Sequence, residues 1–176
     1  MIILVITRST RIALLDKRAS VIDLVGKGVY NIMIEKELIN FFKAIKMLRD
    51  SEIIRSDKYL GDIGEYICQK LYGITLNKSG REKGYDGTLG SEKYEIKFHN
   101  SLTRTNIYLG NPEIYDVLLV VLGPDSLLRP QQEKDDFLIY RTTNMYVKNH
   151  FKQKSGYCCG KSYFEKSKVD KIYNLS

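Results

Sequence analysis

One aspartate and one short triplet carry the chemistry of this chain. Asp86 lies in Gly84-Tyr85-Asp86-Gly87, and Glu95-Ile96-Lys97 begins nine positions later. Two carboxylates brought side by side repel, which raises one pKa unless a cation fills the gap. Mg2+ takes a few carboxylate oxygens, keeps several waters, and can hold the water that attacks phosphorus. The Ile96 carbonyl would point toward the same ion. Lys97 could position or deprotonate that water, or neutralise charge on the phosphorane. Glu65, upstream, could hold a water of this ion or bind a second one, and Gln69 four residues on is an auxiliary polar group. The set suits hydrolysis of a phosphodiester with Mg2+, for which Mn2+ is expected to substitute.

Those residues need elements to hold them. Residues 57–72 read as a helix: Leu60, Ile63, Ile67 and Leu71 form an apolar stripe, and Gly73 stands where a C-terminal stop belongs. Glu65 and Gln69 share a different face. Two short strands follow, residues 85–89 and 93–99, joined by Gly90-Ser91-Glu92 as a hairpin turn. Along the second strand side chains alternate. Lys93, Glu95, Lys97 and His99 point one way, and Tyr94, Ile96 and Phe98 point to the core. Four ionisable groups on one face imply solvent or a site. Residues 116–122 form a continuous apolar run ending in Gly123-Pro124, a strand buried on both faces and covered by helices. Residues 136–141 make a further strand. The order of elements specifies an α/β or α+β layered domain with a mixed sheet.

Residues 1–57 differ in character. Leu38, Phe41, Phe42, Ile45 and Leu48 recur at helical spacing, giving one amphipathic helix over residues 31–50. A shorter helix is expected over residues 20–25, broken by Gly26 and Gly28, and the opening apolar run 1–6 reads as a first strand or a helix start. The expected division is an N-terminal helical appendage, 1–57, a possible dimerisation element, and a catalytic domain with a basic C-terminal region, 58–176.

At 176 residues with 43% hydrophobic and 28% charged residues, the composition is that of an ordinary globular protein. The net charge of +7 favours a polyanionic partner. The excess concentrates between Arg141 and Lys171, where eight Lys/Arg face Glu165 and Asp170. Cys68, Cys158 and Cys159 have no zinc-site spacing and read as reduced thiols, consistent with a cytoplasmic protein. The first residues lack the basic flank of a signal peptide and are too few to span a bilayer, so no membrane partner is expected.

The series Gly61-Asp62-Ile63-Gly64-Glu65-Tyr66, Gly84-Tyr85-Asp86-Gly87, Tyr94-Glu95-Ile96-Lys97 and Tyr115-Asp116-Val117-Leu118-Leu119-Val120-Val121-Leu122 resembles the PD-(D/E)xK nuclease superfamily, of restriction-endonuclease-like fold. The resemblance covers residues 59–146. It implies a restriction-endonuclease-like core, a central mixed sheet of four to five strands flanked by helices. It also implies Mg2+-dependent phosphodiester hydrolysis, with Asp86 and Glu95 as metal ligands, Lys97 as catalytic lysine and Glu65 as auxiliary helix acid. The proline of the family's name is replaced by Tyr85.

The expected partner is double-stranded DNA, and the expected activity is that of a type II restriction endonuclease acting as a homodimer. The rivals are a structure-selective nuclease, such as a junction resolvase or repair enzyme, a non-catalytic DNA-binding protein of the same fold, and a metal-free structural or interaction module whose acids are merely solvated. Expected DNA contacts are Lys78, Arg81 and Lys83 in a basic loop, His99, then Ser101, Thr103, Arg104 and Asn106 after the catalytic strand, and Lys152, Lys154 and Lys161 in the basic C-terminal region. Tyr140, Tyr146, Phe151, Tyr157, Tyr163, Phe164 and Tyr173 read as core rather than as a DNA-contacting face. The stretch from Gly156 to Ser162 has the wrong glycine spacing for a phosphate-binding loop, so no nucleotide cofactor is expected.

Overall fold

The computed structural model describes residues 32–50, 60–77, 84–130 and 135–174. The short helix expected at 20–25, the opening run 1–6, and Lys78, Arg81 and Lys83 lie outside the described residues. The chain divides into two compact units, Met1–Arg55 and Ser56–Ser176. In the first, residues 32–50 form helix α1, with Ile45 buried and the Phe41 and Phe42 rings edge to face. No described helix is long and apolar enough to cross a membrane.

The second unit is α+β. Helix α2 (Gly61–Tyr72) stops where the sequence places its stop: Gly73 has φ 74° and donates its N–H to the Gln69 carbonyl. Gly64 lets α2 lie directly on the sheet, since a Cβ there would come within 2.9 Å of the Phe98 ring. The main sheet is mixed, with order β1-β2-β3-β5-β6-β9. Its strands are β1 (Thr75–Leu76), β2 (Gly87–Leu89), β3 (Glu92–His99), β5 (Val117–Leu122), β6 (Phe137–Thr143) and β9 (Lys171–Tyr173). Six strands replace the expected four to five, because β1 and β9 are two- and three-residue pieces added at the two edges. Strands this short carry no periodicity of their own and exist through their partners.

Leu89 pairs with Glu92, so β2 and β3 are joined by Gly90-Ser91, with Gly90 at φ 60°. Strands β3 and β5 are parallel, from Tyr94↔Val117 to His99↔Leu122. Every residue of β5 is buried, as a strand covered on both faces requires. The covering layers differ from expectation. Helix α2 covers one face. On the other lies a small second sheet, order β4-β8-β7, made of β4 (Asn106–Tyr108), β7 (Lys152–Gln153) and β8 (Gly156–Gly160). Helices α3 (Asn144–His150) and α4 (Lys161–Lys166) accompany it. Among the described residues, the connection from β3 to β5 contains β4 and no helix.

This second layer settles which face Glu95 uses. Leu118, Val120 and Leu122 share a buried cluster with Ile107, Cys159 and Phe164. Parallel register puts Glu95, Lys97 and His99 opposite those three leucine and valine positions, on the same face. The face is therefore covered rather than open, and His99 is only 1% exposed. The expectation that His99 touches DNA is corrected here: its Nδ1 is 2.7 Å from Ser126 Oγ, inside the protein. Tyr140, Phe164 and Tyr173 are buried as expected, with Tyr140 on Phe164 and Phe151 on Tyr163, but Tyr146 is 41% exposed, so the reading of it as core is corrected.

Candidate active site

The site forms where β2 stops short. The expected strand 85–89 begins only at Gly87, because Asp86 leaves the ladder. Its N–H still donates to the Tyr94 carbonyl at 2.8 Å, but its carboxylate turns inward, and Oδ2 accepts the Ile96 N–H at 2.6 Å. A side chain thus takes the place a strand partner would hold. A strand residue turns its N–H and C=O toward the same edge, so the Ile96 carbonyl faces the edge where Asp86 sits. Glu95 and Lys97 project from β3 on either side of Ile96, and the Lys97 ammonium pairs closely with Glu95 Oε1. Glu65 enters from α2, next to the Gly64 contact with β3.

The electrostatics bind these four side chains into one cluster. Burial, then Asp86, Asp62 and Glu95, push the Glu65 carboxyl up to about 7, against a pull from Lys97. Burial raises Asp86, and the Ile96 N–H and Lys97 oppose it. Burial also raises Glu95, opposed by its bond to Lys97 and reinforced by Asp86. Beneath them the buried Cys68 thiol is pushed up to about 12, first by burial and then by Asp86 and Glu65. Three carboxylates facing one ammonium are short of positive charge.

That deficit, with hard oxygen donors, fits a divalent cation. Asp86, Glu95 and the Ile96 carbonyl can supply the protein oxygens, leaving the other positions to water, as Mg2+ prefers. Among the described residues no three His, Cys, Asp or Glu side chains gather around one point.

The remaining expected residues lie apart from the acids or at their margins. Gln69 is exposed, one turn beyond the half-buried Glu65. Ser101 Oγ accepts the Thr103 and Arg104 N–H groups and closes an exposed turn past the end of β3. Asn106 pairs with Gly160, which places it beside Lys161. Lys161 is 4.0 Å from Glu165 on α4. Lys152 and Lys154 are exposed on the β7–β8 hairpin.

Sequence reasoning missed the part that residues 109–115 play beside Glu95. Gly110, at φ 76°, brings its backbone so close to Glu95 that a Cβ would lie 2.9 Å from Oε1. The Tyr115 hydroxyl donates to the Leu109 carbonyl at 2.9 Å and braces this loop from within. Ile114 lies over Gly84, 3.4 Å from where its Cβ would be. The only sequence signal was Gly110-Asn111-Pro112, which any turn could show. The sequence matches no model of a known protein family, and no curated protein matches it.

Proposed function

We propose that this protein is a metal-dependent DNA endonuclease, of restriction-endonuclease-like core, that hydrolyses phosphodiester bonds. The observation that carries this reading is the Asp86–Ile96 bond at the interrupted edge of β3, with Glu95 and Lys97 flanking it. Asp86, Glu95 and the Ile96 carbonyl would hold Mg2+, which supplies Lewis acidity and a water activated for attack. Lys97 answers the charge that builds on the phosphate oxygens and exchanges Glu95 for substrate as the partner of its ammonium. Glu65, with its carboxyl near neutrality, hydrogen-bonds a water and can take up its proton. The net charge of +7 supports a polyanionic substrate. A symmetric dimer would let one site per chain cut both strands of a duplex.

The test is incubation with plasmid DNA and with a branched DNA, in Mg2+ and in EDTA, beside Asp86→Ala and Lys97→Ala. Discrete fragments that need Mg2+ and both residues are expected from a restriction-type enzyme. Cleavage of the branched DNA alone identifies a structure-selective nuclease. Absence of cleavage in every condition overturns the reading.

A further inference from the structure

Tyr108 is 53% exposed, yet it is fixed in place. It ends β4 and pairs with Cys158, while the next residue, Leu109, is buried and donates its N–H to the Tyr157 carbonyl at 2.8 Å. Its ring lies against Gly156, where a Cβ would meet Tyr108 Cε2 at 2.6 Å. Gly156 also has φ 131°, a conformation that side chains disfavour. A glycine at the start of β8 thus provides the seat on which the ring rests, and the rest of the ring is open to solvent.

Its location ties it to the acids. Gly110, two residues on, lies against Glu95, and two residues of chain span at most roughly 7 Å. The buried Tyr115 hydroxyl, which donates to the carbonyl of Leu109 next to Tyr108, feels Glu95 and then Tyr108 and Tyr157. The hairpin that seats the ring also carries Lys152 and Lys154, both exposed. A rigid aromatic face beside exposed lysines is how proteins hold unpaired nucleic-acid strands: the base stacks on the ring and the cations follow the backbone. A paired base inside a duplex offers no free face to such a ring.

We propose that Tyr108 is a stacking platform for an unpaired base flanking the phosphate held at Asp86 and Glu95, with Lys152 and Lys154 contacting the adjoining backbone. The substrate class is then DNA with an unpaired strand beside the cut, such as a fork or flap. This rests on the nuclease reading for the position of the cut, but the binding it describes is measurable separately.

The experiment has two readouts. Fluorescence anisotropy in EDTA measures binding of a forked and a fully paired oligonucleotide by the wild-type protein, Tyr108→Ala and Tyr108→Phe. Gel analysis in Mg2+ measures cleavage of the same oligonucleotides, and circular dichroism checks that each variant is folded. The fork is expected to bind the wild-type protein more tightly than the paired duplex. Tyr108→Ala should weaken fork binding by roughly 5- to 150-fold, the range for loss of one stacked base, and Tyr108→Phe should restore it. Equal fork binding by wild type and Tyr108→Ala overturns the proposal, even if cleavage is intact. Tyr108-dependent fork binding without cleavage of either oligonucleotide upholds the stacking platform and counts against a cut beside it.

Discussion

Glu65 gives the site a measurable signature in the absence of any metal. Its carboxyl rises from 4.5 to about 7 in the folded protein, chiefly through burial and the neighbouring acids. Between those values the folded state holds the proton and the unfolded state has released it. Unfolding then releases protons, so stability is fully present below about 4.5 and is lost as pH rises through about 7. This is opposite in sign to a salt-bridged carboxylate, and Asp86 and Glu95 shift in the same direction. At about 1.4 kcal/mol per pKa unit, the full shift corresponds to roughly 3 kcal/mol. Glu65 is only partly buried, and screening by solvent reduces this to about 1–2 kcal/mol. In EDTA, Glu65→Gln is therefore expected to be more stable than wild type at pH 8 by that amount, a rise in melting temperature of roughly 5 °C. At pH 4.5 the difference should nearly vanish. Thermal unfolding followed by circular dichroism measures both, and comparing variant with wild type at each pH cancels the other titrating groups. A variant less stable than wild type at pH 8 would refute the reasoning, since it would mean that Glu65 is held by favourable contacts rather than tolerated.

Three further outcomes follow from the same geometry. Lys97→Met should lower single-turnover cleavage by about 10²–10⁴-fold, and it should weaken the protein at neutral pH by leaving Glu95 without its ammonium. Gly110→Ala combines the φ of 76° with a Cβ 2.9 Å from Glu95 Oε1, so it should cost about 1–2 kcal/mol in denaturant unfolding and weaken the Mg2+ dependence of cleavage. Gly64→Ala forces a Cβ against Phe98, and overpacking of about 1–3 kcal/mol should appear as a lower denaturation midpoint, with a cost smaller than additive when Phe98→Leu is combined with it.

The parts of the fold written in local pattern were legible in advance. The stripe Leu60, Ile63, Ile67 and Leu71 ends at Gly73, and the structure places a left-handed cap there. Apolar continuity marked β5, and Gly90-Ser91 marked the hairpin. The spacing of Asp86, Glu95 and Lys97 singled out groups that the structure brings together. What stayed hidden depends on partners distant in sequence. Strands β4, β7 and β8 are two to five residues long and become strands only by pairing with one another. Without that second sheet the face of Glu95 and His99 read as either solvent-exposed or a site, and what covers it could not be seen. Asp86 looked like a strand residue, because alternation cannot reveal a side chain that takes over a backbone hydrogen bond. The contact of Gly110 with Glu95 was equally invisible, since it joins two segments with no shared pattern.

The layout of the β3–β5 connection bears on when the site comes into being. The residues that carry the acids, from Glu65 to Lys97, lie close together in the chain. Gly110 and Tyr115, which wall them in, travel on the crossover that makes β3 and β5 parallel. That crossover is anchored by β4 pairing with β8, from Asn106↔Gly160 to Tyr108↔Cys158. Closing so long a loop is entropically slow and is rewarded only once the distant partner exists. A nascent or half-folded chain thus possesses the whole acid motif but not its wall or its aromatic flank. If the acids cut DNA as proposed, competence should come late in folding, and a chain that misses the β4–β8 register should be inert even with its main sheet assembled.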